Sequence, residues 1–403
     1  MTTSSRSSRR LLGVAAACLC LLAALGVARI AGHGSRLAPA VEACTAKAGT
    51  VSNVQREVAA ARPGAVVCVL PGNYGKLTLA RAAGGGPNAL VEPRARLDPN
   101  GAGRVTFNGI TVAGSYITVH NLYSTGGISV GGIGGDTHDV IDHDDVTDPH
   151  GYGISILSPF SDPATDITIS GNRVHATCST CEGDALRIDG WRDVTITGND
   201  IYDIRECPGD DCHTDTLQSY QGVTPSSGLT VTRNYVHDTL DSQGLPFLKD
   251  GDIQDVTISD NLSVRMASDG QTNGPGIDEN TVGLTITHNT YVGAGGYLEA
   301  GGTAAGASAF VADNVFNSFN NQPPLYRLTE GHNIYTGDNQ WSFKLGPGSE
   351  LLAHPRYMCG ARCGNGTAEG DDYRLVGYDD PGSPDYGIGI DWSPADQHYG
   401  PTG

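Results

Sequence analysis

The chain has 403 residues, with 44 acidic against 25 basic side chains for a formal net charge of -19. Such a balance argues against nucleic acid as a partner and makes a polyanionic glycan a partner only where cations or a local basic patch assist. Fifty-six glycines, 6% aromatics and no long amphipathic run after the N-terminus favour a fold with many tight turns over a helical bundle.

Arg6, Arg9 and Arg10 precede an apolar run from Leu11 to Ala28, and Ala38-Pro39-Ala40 offers small residues for cleavage. Residues 1–40 are therefore expected to be a signal peptide, and the protein to be secreted. The alternative is an uncleaved membrane anchor, the only expected tie to a membrane. Ser8 to Leu12 also carries a partial twin-arginine pattern.

Cys18 and Cys20 lie in that run, which leaves Cys44, Cys68, Cys178, Cys181, Cys207, Cys212, Cys359 and Cys363. An even count in an exported chain predicts disulfides, most simply 44–68, 178–181, 207–212 and 359–363. The Cys178-Cys181 pair could also be half of a zinc site, but no second pair follows at ligand spacing.

Residues 41–65 read as a short helical cap, with Val51, Val54, Val58 and Ala61 at helical spacing. Beyond it come AVVCVLPGNYG (Ala65 to Gly75) and VTFNGITVAGSYITVHNLYST (Val105 to Thr125). Then one phrase recurs six times: ITISGN, VTITGN, LTVTRN, VTISDN, LTITHN and AFVADN. Its last residues are Asn172, Asn199, Asn234, Asn261, Asn289 and Asn314, in steps of 27, 35, 27, 28 and 25. Apolar residues alternating with Thr or Ser predict a strand with one buried face. Repetition at this period predicts a solenoid. The closing Asn is expected to take a left-handed turn and to stack as a ladder.

Together with DYRL (Asp372 to Leu375), GSP (Gly382 to Pro384) and GIGID (Gly387 to Asp391), these segments resemble right-handed parallel β-helix proteins of the pectate-lyase-like superfamily. The resemblance spans roughly residues 60 to 395. It implies an all-β fold: a right-handed, single-stranded parallel β-helix of about nine or ten rungs. Residues 41–330 would form the coil with its cap, and 331–403 an irregular closing segment packed along it. A monomer is expected.

A second strand lies upstream of each Asn phrase. HGYGISI, EGDALRI, HTDTLQS, PFLKDG and GIDEN align to give three outward columns. One holds His150, Glu182 and His213, and a second Tyr152, Asp184 and Asp215. The third holds Ser155, Arg187, Gln218, Lys249 and Asp278. Neighbouring strands lie ~4.8 Å apart, so charged groups crowd within on the order of 20 Å. The same pattern would also suit a plain surface ladder of cross-strand pairs. Loops at 158–165, 206–212 and 238–246 would wall this face into a groove for a polymer.

Lyases of the resembling superfamily remove the C5 proton of a uronic acid and expel the 4-linked sugar. This implies a base, a neutraliser for the carboxylate and a proton donor. Lys249 or Arg187 would be the base, and His213 or Tyr152 the donor, with His150 beside them. Glu182, Asp184 and Asp215 would hold Ca2+.

Asp148-Pro149-His150 resembles the Asp-Pro-His motif of mannuronan C5-epimerases, although Asp145 stands where those enzymes place a tyrosine. His213-Thr214-Asp215 faintly resembles polygalacturonases, whose paired carboxylates hydrolyse the bond. A non-catalytic glycan-binding or cell-surface protein is the alternative from another class. The acidic runs Asp142 to Asp145 and Gly209 to Asp211 are expected to be solvated turns, with structural calcium sites as the alternative.

Overall fold

The computed structural model describes residues 43–80, 89–93, 103–131, 135–147, 151–159, 161–176, 183–204, 214–220, 226–239, 242–249, 253–264, 274–278, 281–299, 307–322, 326–337, 344–360 and 371–401. The expected signal segment lies outside these residues, as do His150, Glu182, His213, Cys178, Cys181, Cys207, Cys212 and Cys363.

The chain is a right-handed parallel β-helix. Three long sheets of twelve, ten and twelve strands run the length of the coil, in the order first, third, second within each turn. Among the described residues, the ten strands of the second sheet mark ten turns.

The repeated phrases build the first sheet in full register. Ile167, Val194, Leu229, Val256 and Leu284 form one inward column, and Ile169, Ile196, Val231, Ile258 and Ile286 a second. Both columns are buried. Each such side chain contributes roughly 1.5–3 kcal/mol by leaving water. The Thr and Ser residues between them face outward and are half-buried.

The asparagines form a buried ladder, and its geometry corrects one expectation. The left-handed residue is the one before each Asn: Gly171, Gly198, Arg233, Asp260, His288 and Asp313 all have φ between 56° and 62°. That turn aims the following Asn inward. Asn199 is typical: its N–H and Nδ2 both donate to Oδ1 of Asn234, at 3.1 and 2.9 Å. Its Nδ2 also reaches back to the Ile169 carbonyl at 3.0 Å. The ladder runs beyond the six phrases, to Asn333 and the Ser349 hydroxyl at one end. At the other it reaches Asp144, whose N–H donates to Asn172 and whose Oδ1 accepts from the Leu122 N–H.

The expectation of a solvated turn at Asp142 to Asp145 therefore fails. Asp144 is fully buried, Asp142 lies against His120 and His143, and Asp145 pairs with His175 at 3.1 Å. One run of acids is split between the inside and the outside of a corner.

At the N-terminal end a helix at Val51–Ala59 covers the first turn, with Val54 and Val58 in the core. Thr50 caps it by accepting the Asn53 N–H at 3.2 Å. The Cys44–Cys68 disulfide ties the segment before the helix to the first sheet. Cys359 is disulfide-bonded as well. Strands continue past residue 330, at Ile334–Tyr335 and Glu350–Leu351. The closing segment then packs Tyr373, Ile390 and Trp392 against Tyr235, Leu262 and Val264 of the third sheet.

Candidate functional site

The second sheet carries the unusual outward residues. Ser155, Arg187 and Gln218 follow one another in register, as expected from the sequence, and Ser129 extends the column one turn earlier. Lys249 does not complete that column. Gln218 pairs with Phe247, and Lys249 lies opposite Tyr220 on one side and Asp278 on the other. Lys249 thus stands two residues further along its strand than the alignment placed it. Phe247 and Tyr297 lie on either side of Gly276 in the same register. A Cβ at Gly276 would meet the two rings at 3.0 and 3.1 Å, so glycine there makes room for both.

Arg187 is the centre of the face. Its Nε donates to Asp189 Oδ2 at 2.8 Å and its Nη1 to Asp184 Oδ2 at 3.3 Å. Nη1 also donates to Oε1 of Gln218. The Tyr152 ring lies beside the guanidinium, 5.7 Å from centroid to Cζ. Burial works against the charge, but the hydrogen bond and attraction of Asp189, then Asp184 and Tyr152, raise its pKa above the ordinary arginine value. The guanidinium is therefore a permanent cation, with 15% of its side chain exposed. This suits it to stabilise negative charge and disqualifies it as a base.

Tyr152, Asp184 and Asp215 follow one another on successive turns, as predicted, but the two acids are not on open surface. Asp184 is 2% exposed and Asp215 is fully buried. Asp184 Oδ1 accepts the Asp215 N–H at 2.9 Å while Oδ2 holds Arg187. Both Asp184 oxygens are thus engaged by protein donors, which fits poorly with the six to eight open oxygen ligands of calcium.

A groove of about 270 Å³ runs up to this centre, lined by Lys76, Gly109, Gly126, Ser129, Tyr152 and Ser155 among others. Glycine shapes its floor, since a Cβ on Gly109 would meet the Gly126 carbonyl at 2.9 Å. Sequence reasoning missed Asp189, Lys76, Phe247 and Tyr297 as members of this face. Asp189 could have been found as the next outward residue after Arg187. Lys76 belongs to an early turn that lacks the Asn phrase.

No family model matches the chain, and no curated protein matches it. Among solved structures it is similar to DFA-IIIase from Arthrobacter chlorophenolicus A6 in complex with DFA-III, at 14% identity and a TM-score of 0.31. That match covers 70% of this chain and 63% of the other. It is also similar to PfbA, a surface adhesin of Streptococcus pneumoniae, at 12% identity and a TM-score of 0.33, over 72% of this chain and 88% of that one. Likenesses this distant carry no argument about activity.

Proposed function

We propose that the protein is an exported carbohydrate-active β-helix protein that cleaves a uronic-acid-containing polysaccharide by β-elimination on its second-sheet face. The observation that carries the reading is Arg187: a fixed cation beside Tyr152, which with Lys76 lines a Gly- and Ser-floored groove. A sugar chain in that groove would lay one uronate carboxylate against the guanidinium, lowering the barrier to removing the neighbouring C5 proton. Lys249 is the base that takes that proton. The electron pair forms the C4–C5 double bond as the C4–O bond breaks, and Tyr152 passes its proton to the departing oxygen. His213 and His150 are the alternative donors in this scheme. No step runs through calcium, whose ligands would be Glu182 and Asp215 if Asp184 stays committed to Arg187.

The test is to incubate the protein with pectate, alginate, glycosaminoglycans and gellan-type polymers, each with calcium and with chelator. Ultraviolet absorbance from unsaturated uronate ends on one polymer supports the reading. New reducing ends without that absorbance would indicate hydrolysis, and no product from any polymer would overturn cleavage altogether.

A second reading, a non-catalytic glycan binder, is favoured by the half-buried Tyr297 on the same face, because aromatic rings stack on sugars. Retention on an immobilised acidic glycan without product, lost in Tyr297→Ala, would support it.

A further inference from the structure

We propose that His120, Asp142 and His143 form a binding site for a first-row transition-metal ion on the corner between the first and third sheets, a different face from that of Arg187. Asp142 is in register with His120 on the turn before and with Ser170 on the turn after. His143 follows Asp142 in a left-handed conformation, φ 54°, which swings its ring back toward the same carboxylate. His120 Nδ1 lies 2.9 Å from Asp142 Oδ2, and His143 Nδ1 2.9 Å from Oδ1.

The corner is shaped around these rings. A Cβ on Gly171 would meet the His143 ring at 2.8 Å, so glycine leaves the space the imidazole occupies. Ser170 Oγ donates to Asp142 Oδ1 at 2.6 Å, which fixes the carboxylate from behind, the role of a supporting hydrogen bond around a metal ligand. Three protein donors converge from two adjacent turns, and all three side chains are 25–29% exposed, so an ion can enter and water can complete its shell.

The donor set decides the class of ion. Two imidazoles and one carboxylate suit zinc, nickel, copper or iron, whereas calcium and magnesium prefer oxygen alone. The ligand atoms lie within 4.8 Å of one another. Ligand atoms on one tetrahedral ion at ~2.1 Å lie about 3.4 Å apart, so the side chains must draw together by up to about 1.4 Å to close the shell.

The experiment uses the full chain after chelator treatment and dialysis, titrated with Zn2+ by calorimetry and with Co2+ by visible absorption. One equivalent should bind with a micromolar or tighter Kd, and Co2+ should develop bands of a low-coordinate nitrogen–oxygen site. His143→Gln and Asp142→Asn should each abolish saturable binding. Ser170→Ala, which keeps every ligand, should weaken it about tenfold, and His138→Gln, at the other end of the same first-sheet segment as Asp142, should leave it unchanged. Absence of saturable binding in the parent chain would overturn the proposal. So would one equivalent still bound by His143→Gln or Asp142→Asn; if either variant fails to fold, an unaltered Kd in Ser170→Ala overturns it instead.

Discussion

The Ile117 N–H donates to Oδ1 of Asp139 at 2.7 Å, and this places a carboxyl in an aliphatic column. Asp139 stands one residue before the Val140–Thr168 pair, level with Ile117 and Ile167, and is fully buried. Its Oδ2 has no hydrogen-bond partner among the described residues. Burial, partly offset by the Ile117 bond, pushes its pKa up to about 8.

A raised acid pKa stabilises the fold only while the proton stays on. The contribution of Asp139 is full below the ordinary carboxylate value near 4 and is lost as pH rises through about 8. Asp136, pushed up to about 6 by burial, acts in the same direction. Asp139→Asn is expected to raise stability at pH 8 by on the order of a few kcal/mol and to flatten the decline between pH 5 and 8. Urea unfolding across that range checks it, and an unchanged slope would refute the assignment.

The ladder predicts a cost for its middle members. Oδ1 of Asn234 accepts both the N–H and the Nδ2 of Asn199, so Asn234→Ala leaves that buried N–H unmatched and takes from Nδ2 one of its acceptors, the carbonyls of Ile169 and Thr197 remaining. At about 1–3 kcal/mol per unmatched group, a loss of roughly 3 kcal/mol is expected in chemical denaturation. At the head of the ladder the sign reverses. Asp144 carries an acid whose pKa burial drives well above the usual range, and Asp144→Asn should stabilise the chain at neutral pH.

Lys249→Ala is expected to lower turnover at least 100-fold on the responsive polymer while leaving the melting temperature within about 2 °C, since Lys249 is half-exposed. Arg187→Ala should lower both. It removes the cation that holds buried Asp184, and an uncompensated buried charge costs about 3–5 kcal/mol. Arg187→Lys should recover stability more than activity, because an ammonium cannot span Asp184 and Asp189 as the planar guanidinium does.

Cys44 and Cys68 are 24 residues apart, and closing a loop of that size stabilises by roughly 3 kcal/mol. Reduction, or Cys68→Ala, should loosen the helix at Val51–Ala59 and the first turn. Hydrogen exchange is expected to report faster exchange there and unchanged protection around Asn234.

The solenoid was legible because its signals are local and repeated: the alternation in ITISGN or VTITGN names the buried face of each strand. The columns Tyr152–Asp184–Asp215 and Ser155–Arg187–Gln218 followed from the same period. Lys249 was misplaced for a physical reason. A slip of one residue turns every side chain to the other face, but a slip of two keeps the alternation intact. Leu248 is buried in either register, so only pairing with Ser219 decides it. Burial of Asp144 was hidden because the residue wears the sequence of a surface turn, and its place at the head of the ladder depends on contacts 22 and 28 residues away.

The ladder also sets how such a coil can change length over generations. Each asparagine asks one thing of the next turn, an amide oxygen at the same corner, and offers the same to the turn before. A duplicated or deleted stretch of 25 to 35 residues that begins and ends at equivalent corners rejoins the row with every bond remade. A gain or loss of a few residues within a strand breaks it at once. Variation in this molecule is therefore channelled into whole turns and into the segments that join the strands, where residues can change without disturbing the coil.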